Sequence, residues 1–388
     1  MTITLTMEEV TLDCLSLKKN KLVVIHPAIA PYRIDFFNSV NQNFDTSFYF
    51  EFKDTLEQSF NQEDLKQRLS FIPKYLKPGF MGIKNLRVDI FKILKKEKPD
   101  IVFCSEYNML GFIILTCKFM FNRKMNIYSI CDDNLEIATQ CSGIRKLMRA
   151  IFHYLFTGII FADKNAINWC KNNLHNRAKL IYFPIIQDNT LFRQRLEKAL
   201  PLSRENREKY KLQNKTVLLY VGRLIEIKNI YTLLDSYKDI RKKHKNIILI
   251  IVGEGHLKDN LMKYAFDHNL YEEVIFAGKQ EGPELLSWYN IGNIFILPST
   301  FDRFAAVVNE ALLSGCYTFC SSVAGAASLI KESHNGRVFN PHNQQELTTK
   351  LNECLEYMTF DYDSSSIKQD LMLIPYDRQF ELFLTCFK

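Results

Sequence analysis

Short apolar runs alternate with longer amphipathic stretches along nearly the whole chain, and they do so in two series. The first series is LVVIH (22–26), TSFYF (46–50), DIVFCS (100–105), NIYSI (126–130), GIIFAD (158–163) and KLIYFP (179–184). The second is TVLLYVG (216–222), NIILIIVG (246–253), EVIFAG (273–278), NIFILP (293–298) and TFCSS (318–322). Strands apolar along their full length are covered on both faces, and strand–helix–strand repetition gives a parallel sheet wrapped by helices. Helical periodicity fills most gaps, for example at 83–98 and 143–156. Residues 186–214 break the rhythm, being polar and carrying Pro201. The fold class expected is therefore α/β, with two Rossmann-like parallel-sheet domains facing each other across a cleft between their carboxyl edges, where open α/β sheets bind ligands. The expected boundaries are an N-terminal extension at 1–20, a first domain at 21–185, a linker at 186–214, a second domain at 215–365 and a C-terminal helix at 366–388 packing back on the first domain.

The chain of 388 residues is 47% hydrophobic and holds 30 Phe and 18 Tyr, which excludes a disordered polymer. Ten cysteines form no CxxC pair and no zinc-type spacing with histidine, so they read as free thiols in a reducing compartment, and no metal site is expected. Residues 1–20 carry Glu8, Glu9 and Asp13 without the basic start and apolar block of a secretory leader. The longest apolar stretch, 150–162, is interrupted by His153 and falls short of the roughly 20 residues that span a bilayer. A cytoplasmic protein is expected. The net charge of +7 sits entirely in residues 1–185, with 25 Lys and Arg against 18 Asp and Glu. Such a face suits anionic lipid or a phosphate-bearing acceptor, while nucleic acid is not expected because no aromatic-basic module is present. Residues 143–152 mix a basic stripe of Arg145, Lys146 and Arg149 with Leu147, Met148, Ile151 and Phe152, a pattern that either packs on its own sheet, the commoner outcome, or rests on the inner face of an anionic membrane.

The second half carries the chemistry. Its first strand ends in Val221-Gly222-Arg223-Leu224, followed by Lys228-Asn229 and an amphipathic helix. Glycine lets backbone approach a ligand closely, and Arg223 and Lys228 can converge on it. Further on, Pro298-Ser299-Thr300-Phe301-Asp302-Arg303-Phe304-Ala305-Ala306-Val307-Val308-Asn309-Glu310 places two carboxylates eight positions apart across a loop-to-helix junction. With a helix from Ala305 onward, the N–H groups of Ala305, Ala306 and Val307 head a positive helix end suited to phosphate. Asp302 can reach hydroxyls on the group attached to that phosphate, and Glu310 can point the other way toward a ribose.

Arg223 to Asn229, Gly253-Glu254-Gly255, Val274 to Gly278, Pro298 to Ala311, Gly325-Ala326 and Asn335-Gly336 together resemble the family-4 glycosyltransferases, retaining enzymes of the GT-B fold, of the kind that builds cell-surface polysaccharide. The resemblance implies a retaining transferase that moves a sugar from a nucleotide diphosphate sugar to a glycan or lipid-linked acceptor. It implies that Arg223 and Lys228 hold the donor diphosphate, that Asp302 contacts the transferred sugar and that Glu310 contacts the ribose. Gly222, Asn229, Gly278, Gln280, Phe304, Ala305, Ala306 and Val307 complete the implied donor site, with 277–280 beside the nucleobase. On the acceptor side it points to Tyr32, Arg33 and Asp132.

Four positions depart from the family pattern. Asp302 stands where Glu is usual, and Ala305 stands where Gly is usual. The first-domain turn His26-Pro27-Ala28-Ile29-Ala30-Pro31-Tyr32-Arg33 lacks glycine, and Cys131-Asp132-Asp133 takes the place of a His-Asp pair. Cationic side chains and a helix end substitute for a metal ion, so no cofactor is expected beyond the nucleotide sugar co-substrate. The only DxD string, Asp361-Tyr362-Asp363, reads as surface. Two rivals stand beside this reading: a sugar-nucleotide epimerase of the same fold, which lacks the Asp302 to Glu310 pattern as a defining feature, and a non-catalytic sugar-nucleotide-binding protein, to which Asp302, Ala305 and the missing histidine point.

Overall fold

A computed structural model describes residues 20–54, 60–79, 86–360 and 366–387. The Asp361-Tyr362-Asp363 string, Cys14, nearly all of the N-terminal extension and the start of the helix expected from residue 83 lie outside them.

The first sheet has seven parallel strands, β1 (Lys21–His26), β2 (Asp45–Phe50), β3 (Lys74–Tyr75), β4 (Ile101–Ser105), β5 (Asn126–Cys131), β6 (Gly158–Phe161) and β7 (Lys179–Tyr182), in the order β3-β2-β1-β4-β5-β6-β7. The second has six, β8 (Thr216–Val221), β9 (Ile247–Val252), β10 (Val274–Gly278), β11 (Ile294–Leu297), β12 (Tyr317–Ser321) and β13 (Gly336–Phe339), in the order β10-β9-β8-β11-β12-β13. Central strands such as β4, β8 and β9 are buried at every position, as their unbroken apolar runs require. In each sheet the order reverses beside the first strand of its series, which sets the ligand-binding switch point at the ends of β1 and β4 and of β8 and β11.

The chain divides into two units, one ending at Gln187 and completed from Tyr376 onward, the other Asp188–Pro375. The stretch expected as a linker with some helix holds two helices, Asn189–Lys198 and Leu200–Lys209. Pro201 lies in the first turn of the second of these, where a missing N–H costs nothing. Both helices pack within the second unit: Asn290 Nδ2 donates to the Leu196 carbonyl at 2.9 Å, Asn206 Nδ2 donates to Ser287 Oγ at 3.0 Å, and Tyr210 lies 5.4 Å from Trp288. Their polar composition reflects one solvated face rather than a tether. The segment before Tyr376 is strapped to the second unit, with Leu371 N donating to the Leu312 carbonyl and Arg193 Nη2 to the Lys368 carbonyl at 2.9 Å. The terminal helix Tyr376–Leu384 belongs to the first unit, where Phe380 and Phe383 pack against Phe36 and Phe183.

Helix Gly143–Leu155 corrects the expectation of one basic stripe. Arg149 is 1% exposed and pairs with Asp133, while Phe152 and His153 share its inward face. Ile144, Leu147 and Tyr154 are exposed, with Arg145 and Lys146 beside them. Among the described residues no helix is long and apolar enough to cross a membrane.

Candidate functional site

In the second unit the carboxyl ends of β8, β9 and β10 are drawn together through backbone. Gly222 N donates to the Val252 carbonyl at 3.0 Å, and Gly253 N donates to that of Gly278 at 2.8 Å. A Cβ on Gly253 would lie 1.8 Å from the Gly222 oxygen, and one on Gly255 would lie 2.2 Å from that of Leu224. Only glycine permits these approaches, and Gly278 adds a φ of +71°. Arg223 follows directly, its carbonyl held at 3.0 Å by the hydroxyl of fully buried Tyr220.

The turn Glu226–Lys228 and the loop after β11 are locked to each other. Thr300 N donates to the Ile227 carbonyl at 2.9 Å. Asn229, at a φ of 53°, donates its side-chain amide to the carbonyls of Pro298 (3.2 Å) and Pro341 (2.9 Å). Its amide nitrogen thus pins the two loops together. Across this junction Lys228 Nζ sits 2.5 Å from Asp302 Oδ2, with the two side chains 13% and 15% exposed. Asp302 is further fixed by a backbone bridge to Ala324, and Ala326 N donates to the Phe304 carbonyl at 2.8 Å.

The helix begins at Ala306 rather than Ala305. Ala305 is its N-cap, at φ 72° and ψ 72°, and Phe304 before it is buried. The N–H groups of Ala306 and Val307 head the helix without intrahelical acceptors. A glycine at this position would suit this left-handed backbone without a Cβ to crowd it. Glu310 lies one turn in, on the same helix. Its carboxylate accepts from the hydroxyl of Tyr289 at 2.9 Å, and that phenol is held far above its usual range by burial and then by Glu310 itself. Gln280 turns its amide back onto the Ala277 carbonyl at 2.7 Å.

The structure therefore brings Lys228, Asn229 and Asp302 into one junction. It sets Arg223 on the strand end before them and Glu310 along the helix after them, and it leaves Gly278 and Gln280 two strands away. Sequence reasoning missed Tyr220 and Tyr289. Both lie in apolar runs, VLLYV and LLSWY, and read as core.

In the first unit, Arg33 is 3% exposed and its guanidinium pairs with Asp132. His26, at the end of β1, donates through Nδ1 to the Ala28 carbonyl at 3.0 Å, and burial, reinforced by the charge of Arg33, lowers its pKa to about 4. Tyr32 sits beside Arg33 in the same turn, partly exposed. Cys131 is fully buried, and Asp133 is engaged by Arg149 and by Arg145 at 3.3 Å. Among the described residues no three His, Cys, Asp or Glu side chains cluster as a metal site, and every described cysteine is free.

Residues 203–360 match the family described as Glycosyl transferases group 1. An uncharacterized glycosyltransferase of Methanocaldococcus jannaschii is 29% identical over 156 residues, 40% of this chain and 40% of that protein. The chain thus spans about two fifths of the length of the first curated relatives it matches. Among solved structures, a glycosyltransferase from Rickettsia africae superposes with a TM-score of 0.69 at 12% identity, covering 95% of this chain and 96% of that one. Anabaena HepE in complex with UDP-glucose gives 0.65 at 15% identity, covering 87% and 90%. The fold is that of the GT-B glycosyltransferases.

Proposed function

We propose that the chain is a retaining glycosyltransferase that moves a sugar from a nucleoside diphosphate sugar to a hydroxyl of a glycan or lipid-linked acceptor. The observation that carries this reading is the junction of Lys228 and Asp302 beside Arg223 and the open helix start at Ala306. The match to Glycosyl transferases group 1 covers the same residues, and the HepE neighbour was solved with UDP-glucose.

In the reaction, the bond between the anomeric carbon and the terminal phosphate oxygen breaks, and negative charge collects on the diphosphate. Arg223, Lys228 and the N–H groups of Ala306 and Val307 supply the countercharge from fixed positions. The acceptor hydroxyl attacks the carbon on the face the diphosphate leaves, and its proton passes to the departing phosphate oxygen. Glu310, steadied by Tyr289, holds the ribose hydroxyls. Arg33, Tyr32 and Asp132 line the acceptor side. An epimerase on this fold would turn over the donor with no acceptor present, which separates the two readings.

We place the protein in the cytoplasm, with the exposed Ile144, Leu147 and Tyr154 and the neighbouring Arg145 and Lys146 resting on an anionic membrane face where a lipid-linked acceptor would lie.

The test is a panel of nucleotide sugars screened by thermal stabilisation, followed by transfer assays in excess EDTA. Lys228→Ala should lower turnover with the stabilising donor by about 10²–10³ while the chain stays folded, the usual loss for one preorganised charge stabiliser. Full turnover in that variant would remove the assignment.

A further inference from the structure

The helix Met109–Phe121 leaves the carboxyl end of β4 and returns the chain to the amino edge of the first sheet, where β5 starts at Asn126. Its inner side is core, with Leu110, Ile114 and Cys117 buried. The last turn breaks that pattern. Phe119, Met120 and Phe121 are 58%, 63% and 40% exposed. Three consecutive residues on a helix fan over about 200°, so one core cannot take them all. The end of this helix is closed rather than frayed. Asn122 N donates to the Lys118 carbonyl at 3.2 Å, Asn122 Nδ2 donates to that of Pro99 at 3.3 Å, and Met125 N closes on the Asn122 carbonyl at 3.0 Å. An ordered turn therefore holds three large apolar side chains out from the core.

The bond to Pro99 joins this end to that of the neighbouring helix, Asp89–Glu97, which also arrives at the amino edge. Lys95, Lys96 and the left-handed cap Lys98 are exposed there, and Arg123 and Lys124 are exposed directly after the apolar triplet. Across residues 95–98 and 118–124 the one acid is Glu97. Its side chain is 12% exposed and is taken up by the Tyr49 hydroxyl at 2.8 Å and Lys21 Nζ at 3.2 Å. Asp100, next along, accepts from Lys21 N at 2.9 Å. The rim is thus an apolar projection ringed by positive charge. Contiguous exposed apolar surface marks a place of contact, and the charge around it says with what.

We propose that this rim docks on anionic lipid: Phe119 and Met120 enter the boundary between headgroups and acyl chains, while the surrounding lysines and Arg123 meet the lipid phosphates. The order of the residues selects this occupant. A bilayer offers phosphate at its surface and hydrocarbon beneath, which matches cations around the base of an apolar tip. The site is separate from the helix Gly143–Leu155 and does not need that helix to touch a membrane. Arg33 and Asp132 follow the opposite, carboxyl ends of β1 and β5, so lipid at this rim leaves them clear.

The experiment mixes the full chain with vesicles of phosphatidylglycerol and phosphatidylcholine and, separately, of phosphatidylcholine alone, at low salt. The native chain should bind the first far better than the second. Arg123→Gln with Lys124→Gln should weaken binding about 20- to 30-fold, the usual contribution of two cations near an anionic surface. Phe119→Ser with Met120→Ser should weaken it about tenfold or more. All four side chains are exposed, so the melting temperature should hold in both double variants. Phe119→Trp adds a readout that a merely structural role would not move: its emission should shift to the blue on anionic vesicles and be quenched by brominated acyl chains. Unchanged vesicle affinity in both double variants, or no vesicle binding by the native chain, overturns the proposal. Self-association dissolved by Phe119→Ser with Met120→Ser would then assign the triplet to a second copy of the chain. If Arg145→Gln with Lys146→Gln abolishes binding while the rim variants keep it, the membrane reading of Gly143–Leu155 stands and this one falls.

Discussion

The carboxyl edges of the two sheets do the same topological job with opposite materials. At the ends of β8, β9 and β10 the contacts are backbone on backbone, and the side chains that would intrude have been removed: Gly222, Gly253, Gly255 and Gly278. At the ends of β1 and β5 the space is filled by side chains, namely His26, the pair of Arg33 with Asp132, and the pair of Asp133 with Arg149. From there Arg149 stacks on Tyr107, whose hydroxyl reaches His153 Nε2 at 2.9 Å, and His153 Nδ1 reaches Asn176 Oδ1 at 2.5 Å. An edge that takes a diphosphate, as proposed for the second, has to offer N–H groups, and that demand fixes residue types. An edge built from paired side chains can change any pair by changing both members. The match to the family described as Glycosyl transferases group 1 lies in residues 203–360, in the second unit.

If that contrast is real, the first edge should fail when a charge is unpaired. Arg149 is 1% exposed, with Asp133 and the Ala138 carbonyl as its polar partners. Replacing Asp133 with Ala leaves a buried cation uncompensated and should cost about 3–5 kcal/mol, measured by denaturant unfolding. Nucleotide affinity, measured where the variant is folded, should not change. A loss under about 1 kcal/mol would mean that the pair is solvated, and the contrast would collapse. The same observation withdraws Arg149 from any membrane test; only Arg145 and Lys146 remain on the outer side of that helix.

The buried histidines of the first unit sharpen the comparison in the pH dimension. Burial lowers the pKa of His153 from 6.5 to about 4. As a neutral ring it donates from Nδ1 to Asn176 and accepts from Tyr107. The unfolded chain takes up this proton near pH 6.5 and the folded chain only near 4. The contribution is therefore present above about pH 6.5 and is lost as pH falls toward 4, roughly 3 kcal/mol in all. Glu51 and Asp163, whose pKa values burial raises, work in the opposite direction. Thermal melts from pH 7.5 to 4.5 should show a shallower pH slope in His153→Gln than in the native chain. Parallel slopes would place the acid sensitivity elsewhere.

What the sequence disclosed follows the same division. Strands buried on both faces are apolar throughout, so eleven of the thirteen were legible as runs. The two that were not, β3 and β13, are two and four residues long, and β13 carries Arg337. The helices at 189–209 were obscured because most of their surface is polar. Arg149 was misread although its phase was available: it lies three and seven residues before Phe152 and Phe156, which line the core, and out of phase with the exposed Ile144 and Leu147. Counting charges along a helix ignores which face each occupies. Glycines and charges in the second unit were readable because each answers to a local demand. The tyrosines that hold Arg223 and Glu310 were not, since a buried hydroxyl announces its partner only in three dimensions.

The smallest effect tests the one place where the second edge breaks its own rule. Ala305 occupies the left-handed region at a φ of 72°, a conformation in which its Cβ crowds the backbone. The neighbouring backbone leaves it no alternative: Phe304 offers its carbonyl to Ala326, Gly325 lets that segment approach because a Cβ there would lie 2.6 Å from the Arg303 oxygen, and Val308 N closes the first turn on the Ala305 carbonyl at 3.0 Å. Strain held by its surroundings at the head of this helix is relieved by glycine, which reaches this region at no steric cost. The unfolded chain gains freedom from the same change, which offsets part of the relief. Ala305→Gly should therefore stabilise the chain by about 0.5–1 kcal/mol in thermal unfolding, and donor affinity should hold or rise. The same substitution at Ala326, in the short turn Gly325–Leu329, relieves no such strain and should be neutral or destabilising. If Ala305→Gly destabilises as much as a glycine placed in an ordinary turn, then Ala305 bears no strain and the second edge is as tolerant of side chains as the first.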